Sequence, residues 1–196
     1  LPKELRVNDL LEENIIKLLK KKLTPGLFSH SAGVAETAAG LAGILGENVS
    51  RARLAGWLHD CARELEAQEL FALAEAGHLE IDSFCRRQPV LLHAAVGSTV
   101  ARQLGVEDEA ILTAISRHTF GFPGMSLLDR IIYVADKIEP GRSYPDVEDL
   151  RRKVAENFHD GILAVTAQTI CHLLAKRQVI HPQTILFWNS LSEVRE

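Results

Sequence analysis

Apolar residues recur along this chain with the period of a helix. Between Asn8 and Leu23, residues Leu11, Ile15, Leu18 and Leu19 fall on one helical face, and Thr24-Pro25-Gly26 stops the run. The spacing predicts a second helix from about Leu27 to Leu45, ended by Gly46. This segment is rich in small residues, and each of Gly33, Gly40 and Gly43 costs up to about 1 kcal/mol of helix propensity. A cost of that size points to close packing or to a ligand. Ser50 suits the N-cap of a third helix through about Ala62. A fourth covers Ala67 to Ala76 and stops at Gly77. Pro89 fits the first turn of a fifth, running to Gln103 and closed by Gly105. A sixth spans Glu107 to about His118. The Gly-Phe-Pro-Gly loop at 121–124 follows. Ser126 then caps a helix to about Ile138, broken by Glu139-Pro140-Gly141. The remaining helices are predicted near 146–156, from Asn157 or Asp160 to near Arg177, and from His181-Pro182 through Leu191. No strand alternation, internal repeat or low-complexity linker appears. The expected fold is all-α, one domain over residues 1–196, with helices at about 146–192 packed on a core of about 25–140.

Composition narrows the class. A chain of 196 residues, 46% hydrophobic, can bury a core without disulfide staples. Its net charge of −4 argues against a general binder of nucleic acid or of membrane surfaces. No apolar run approaches the ~18 residues of a membrane span. Leu1 to Asn14 carries charges of both signs and no apolar signal core. Cys61, Cys85 and Cys171 are widely spaced and in no CxxC, so neither a disulfide framework nor a cysteine zinc site is expected. A reducing cytoplasm is the expected setting.

Histidine carries the chemistry. There are eight, more than Trp, Tyr and Met together. His59-Asp60 lies near the end of the apolar stretch Leu54, Ala55, Trp57, Leu58. Neighbouring residues do not share a helix face, so this pair serves one centre only from a helix end. Asp136 closes the apolar run Ile131 to Ala135, and an inward carboxylate is expensive unless paired or metal-bound. His30 stands one turn ahead of Gly33 and Val34. Two imidazoles and two carboxylates suit iron, manganese or zinc. His93 interrupts an apolar stretch, and His118 shares the inward face of Ile111 and Ile115. Both suit either a second metal, bridged by Asp60, or phosphate oxygens. Taken singly, each histidine reads as a hydrogen-bonded core residue; the ordered set changes that reading. His78, His159 and His172 are read as structural. Phe187 and Trp188 are expected to form an exposed apolar patch suited to a homodimer.

The order His30, His59-Asp60, Asp136 resembles the HD-domain metal-dependent phosphohydrolases, an all-α superfamily. The flanking segments FSHSAGVAETA (28–38), LHDCARELEAQEL (58–70), LLHAAVGSTVA (91–101), ISRHTFGFPGMSLLDRIIYVADKIEPGRSYPDVEDLR (115–151) and VIHPQTI (179–185) are similar to the YqeK-type HD hydrolases, from about residue 10 to 190. The resemblance implies an HD-domain helical bundle and a symmetrical hydrolase of diadenosine tetraphosphate. Such an enzyme makes two ADP through attack of a metal-bound water or hydroxide on phosphorus. It implies iron, or manganese, cobalt or zinc in its place, as one ion or two. His30, His59, Asp60 and Asp136 would be the metal ligands. Asp60, His93, His118 and Arg63 would carry catalysis. Gly33, Thr119 and Arg142, with His181 and Thr184 from the C-terminal motif, would join Arg63, His93 and His118 as nucleotide contacts.

Arg63 stands where Lys is more usual in that family, and a planar fork replaces a point charge. Phe120 and Phe122 stand where the family loop is more polar. The implied partner is a small nucleotide, with ADP or GDP as product-like ligands, rather than nucleic acid or membrane. The alternatives are another HD-domain phosphohydrolase, a nucleotidase or cyclic-nucleotide phosphodiesterase, and a non-catalytic nucleotide-binding module.

Overall fold

In the computed structural model, residues 3–193 are described, and expectations for residues 1, 2 and 194–196 lie outside them. The described residues form eleven α-helices and no strand. They are α1 (Lys3–Lys22), α2 (Pro25–Leu45), α3 (Val49–Leu58), α4 (Ala67–Ala76), α5 (Ser83–Arg87) and α6 (His93–Gln103). Then follow α7 (Glu109–Arg117), α8 (Leu127–Ile138), α9 (Val147–Glu156), α10 (Phe158–Ala175) and α11 (Pro182–Ser192). The caps explain most boundaries. Thr24 accepts from Leu27 N, and Gly46 closes α2 in the left-handed conformation at φ 77°. Ser126 and Asp129 form a capping box at the start of α8. Asn157 caps α10, and the His181 side chain caps α11.

Several boundaries differ from expectation: α1 starts at Lys3 rather than Asn8, α2 at Pro25 rather than Leu27, and α7 at Glu109, capped by Asp108, rather than at Glu107. Asn48, not Ser50, caps α3 by accepting from Arg51 N. The same helix stops at Leu58 instead of Ala62, because the backbone tightens to i→i+3 bonds such as Cys61 N to Leu58 O. The expected helix from Pro89 divides into a 3₁₀ turn, Pro89–Leu92, and α6 starting at His93. The short α5 was not anticipated; Asp82 caps it by accepting from Phe84 N and Cys85 N, both at 2.8 Å.

Helix α8 sits between two apolar cores. One of its faces, Leu128, Ile131, Ile132 and Ala135, packs on α1, α2, α3 and α7. The other, Tyr133, Val134 and Ile138, packs on α9, α10 and α11. Every residue from Ile131 to Asp136 is therefore buried. A smaller core joins α4, α5 and the start of α6 through Leu70, Ala74, Cys85, Leu92 and Val96. Close contact between α2 and α3 depends on Gly56, where a Cβ would lie 2.6 Å from Ala35 Cα. The expected exposed patch at Phe187 and Trp188 is corrected: Phe187 is 1% exposed and packs edge-on to Tyr133, and Trp188 is half-buried against the same core. Burying a ring that size removes one of the largest apolar surfaces from water. No helix among the described residues is long and apolar enough to cross a membrane.

Candidate metal centre and substrate cavity

Helix ends converge on one buried point. His30 comes from the first turns of α2, His59 and Asp60 from just beyond α3, His93 from the first residue of α6, His118 from just beyond α7, and Asp136 from the last turn of α8. His59, Asp60, His93, His118 and Asp136 are all buried.

The rings are oriented by their own backbone. His59 Nδ1 lies 2.8 Å from Gly56 O, His93 Nδ1 2.5 Å from Val90 O, and His118 Nδ1 2.7 Å from Ile115 O. A carbonyl only accepts, so each neutral ring carries its proton on Nδ1 and turns an Nε2 lone pair inward. His30 is oriented by a side chain instead: its Nδ1 is 3.2 Å from Glu139 Oε1. Such outer partners are the usual means of fixing a metal-binding histidine.

The inward atoms form two lobes joined by Asp60. In the first, His30 Nε2 is 3.2 Å from His59 Nε2 and 3.1 Å from Asp136 Oδ1, and His59 Nε2 is 3.5 Å from Asp60 Oδ2. In the second, Asp60 Oδ1 is 3.0 Å from His93 Nε2 and 3.4 Å from His118 Nε2, and those two nitrogens are 3.2 Å apart. In the second lobe the Nε2 lone pairs of His93 and His118 face each other, which is repulsive without a cation between. Two ligand atoms about 2.0–2.1 Å from one ion, at right or tetrahedral angles, stand roughly 2.9–3.4 Å apart. Asp60 Oδ1 is also a buried carboxylate oxygen with no hydrogen-bond partner among the described residues. Both observations fit a metal ion. Three ligand groups within 4.8 Å result: His30–His59–Asp60, His59–His118–Asp136 and Asp60–His93–His118.

Electrostatics prepares the donors. Burial pushes His59 down to about 4 and lowers His93, keeping both rings neutral at pH 7. Burial also opposes charge on His30, but Asp136 outweighs it, and the His30 pKa is raised. Burial would raise Asp136, yet Lys137 and His30 hold its carboxyl well below the usual range. Lys137 Nζ and Arg142 Nη2 each donate to one Asp136 oxygen at 2.6 Å.

The centre opens into a cavity of about 1040 Å³. Of the expected site residues, His30, Asp60, Arg63, Thr119, Asp136, Arg142, His181 and Thr184 line it. Arg63 Nη1 is 3.2 Å from His93 Nε2, and Arg142 Nη2 is 3.3 Å from His30 Nε2, so each lobe has its own guanidinium. Thr119 Oγ1 is 3.2 Å from His93 Nε2. The His181 ring stacks on Phe120, centroids 4.0 Å apart, and its Nε2–H donates to Asp82 Oδ2 at 2.6 Å. Gly33 is elsewhere. It faces Glu139, and a Cβ there would run into that carboxylate.

Sequence reading missed Glu139. It sits in Glu-Pro-Gly, read only as a helix breaker; an acidic residue at a helix C-terminus is unfavourable there and was the available signal. His172, read as structural, lines the cavity. Nothing local marks it, since its neighbours are mixed in polarity.

Helical ends gathering paired histidines and aspartates into a buried cluster able to hold metal define a class of metal-binding helical proteins. The HD domain family model matches residues 27–141, and the chain belongs to that family. It is 38% identical to the symmetrical bis(5'-nucleosyl)-tetraphosphatase of Halalkalibacterium halodurans, over 90% of this chain and 94% of the relative. The Bacillus subtilis protein of the same name is 35% identical over 91% and 96%. A crystal structure from Clostridium acetobutylicum, described as a predicted HD superfamily hydrolase involved in NAD metabolism, superposes with a TM-score of 0.89 at 37% identity. That match covers 92% of this chain and 96% of the other.

Proposed function

We propose that this protein hydrolyses diadenosine tetraphosphate at its centre and releases two ADP. The observation that carries the reading is the two-lobed His/Asp cluster, flanked by Arg63 on one lobe and Arg142 on the other, at the wall of a large cavity. Relatives named for that activity match nearly the whole chain. Apolar cores sharing α8 support one domain rather than two.

A divalent transition ion, iron in our reading, supplies Lewis acidity and an activated water for attack on phosphorus when bound. His30, His59, Asp60 and Asp136 would hold it. His93 and His118, together with Asp60, would hold a second ion, since Asp60 Oδ1 and two ring nitrogens form a donor set suited to a cation. The chain's own groups do the rest. Arg63 and Arg142 hold non-bridging oxygens by charge-assisted hydrogen bonds and neutralise the tetraphosphate on an acidic protein. Thr119 offers a hydroxyl beside the second lobe. The Phe120–His181 stack lies in the cavity wall and would offer a nucleobase a flat face. The three cysteines are free, and we place the activity in the cytoplasm.

The test is chromatography of products from diadenosine tetraphosphate, with metal analysis of the same protein. ADP as sole product from wild type, and none from Asp60→Ala, is expected. Intact substrate, or a mixture of AMP and ATP, refutes the assignment.

A further inference from the structure

The turn that follows α8 carries two groups of the centre. Glu139 holds His30 Nδ1, and Arg142 holds Asp136 and approaches His30 Nε2. Little in the turn's own backbone holds it. Pro140 has no N–H, the Gly141 N–H goes to the Glu139 carboxylate at 2.5 Å, and the Arg142 N–H goes to Glu139 O at 2.9 Å. The Ile138 carbonyl, at the end of the helix, therefore receives no bond from the residues that normally supply one. Arg151, on α9 and not lining the cavity, supplies it. Its Nε donates to Ile138 O at 2.8 Å, and its Nη2 donates to Glu139 O at 2.7 Å and to Arg142 O at 3.0 Å. Glu148 pairs with Nη1 from one turn earlier on α9 and steadies the guanidinium.

We propose that Arg151 is a positioning residue of the metal centre: it clamps the 138–142 turn through three carbonyls and thereby sets the Glu139–His30 contact and the reach of Arg142. One planar fork spans those carbonyls; a lysine ammonium is a point donor and cannot. The inference rests on reading the cluster as a metal centre, but not on which substrate is cut.

The test is Co²⁺ binding and thermal melting of Arg151→Lys, beside Arg152→Lys. Arg152 is a neighbouring surface arginine whose ion partners are Asp149 and Glu156. We expect the Co²⁺ Kd to rise about tenfold in Arg151→Lys, the size typical of outer-shell changes, and to stay put in Arg152→Lys. A double-mutant cycle with Glu139→Gln separates positioning from mere folding support. If Arg151 acts through the turn, the lysine change adds less than about twofold in the Glu139→Gln background. A lowered melting temperature with unchanged Co²⁺ affinity overturns the proposal, as does a full tenfold effect in that background. Loss of tetraphosphate cleavage as an activity leaves the Co²⁺ result standing, so the two readings fail separately.

Discussion

Gly56→Ala sets two opposing effects against each other. On helix propensity alone, alanine stabilises the interior of α3 by about 1 kcal/mol. Packing opposes it. The new Cβ would lie 2.6 Å from Ala35 Cα and 2.8 Å from Ala35 N, where ordinary contacts begin at 3.4 Å. The obstacle is backbone, so no side chain can swing aside, and α2 and α3 must separate by most of an ångström. Overpacking of this kind costs about 1–3 kcal/mol, and rigid backbone on the far side places it near the upper end. The net is a loss of about 2 kcal/mol. For a chain of 196 residues that is a fall in Tm of about 4–8 °C. The separation also reaches the centre, because His30 rides on α2 and the His59 ring is tied to the Gly56 carbonyl. Their Nε2 atoms are 3.2 Å apart, a spacing one ion can bridge and a wider one strains. Circular-dichroism melts and a Co²⁺ titration of the same variant should therefore show lower Tm and weaker metal binding together. A rise in Tm of a few degrees means propensity has won, and the close-packing argument is wrong.

Metal binding should strengthen with pH through and above 6.5, because the ion must displace the proton that the raised pKa of His30 retains. Calorimetry in two buffers of different ionisation enthalpy will show proton release near neutrality; a pH-independent affinity from 6 to 8 contradicts this. At Asp82, burial pushes the carboxyl up, but the Cys85 backbone N–H and His181 outweigh it and hold it at about 2. A folded-state value below the unfolded 3.8 stabilises the fold above that pH, and the gain is lost as pH falls from about 4 through 2. Asp82→Asn should flatten denaturant stability across that window, and an unchanged slope refutes the link. Phe187→Ala should destabilise by about 3–5 kcal/mol, measured by urea unfolding, because it empties a buried site beneath Tyr133. A change under about 1 kcal/mol would restore Phe187 to the surface.

What the sequence revealed depended on the range of the physics. The helices from Ser126, Asn157 and His181 start where expected, because a cap is satisfied within three residues of itself. The ligand candidates were legible because a histidine or aspartate on an apolar stripe is anomalous locally. Glu139 was not, since its partner His30 is 109 residues away and only the folded chain joins them. The end of α3 at Leu58 was missed because its helical pattern continues into Cys61 and Ala62, while the His59 and Asp60 geometry requires a turn. Phe187 was misplaced for a related reason: next to exposed Ile185 and Leu186, its burial is decided by α8 and α10, which local periodicity does not see.

The backbone tethers of His59, His93 and His118 bear on the order in which the chain assembles. Each ring bonds a carbonyl three residues earlier, so its proton is placed as soon as that single turn closes. His30 waits for Glu139, and so for the C-terminal turn of α8 to dock. The proton positions of three rings are thus set by local turns, while that of the fourth depends on a contact 109 residues away.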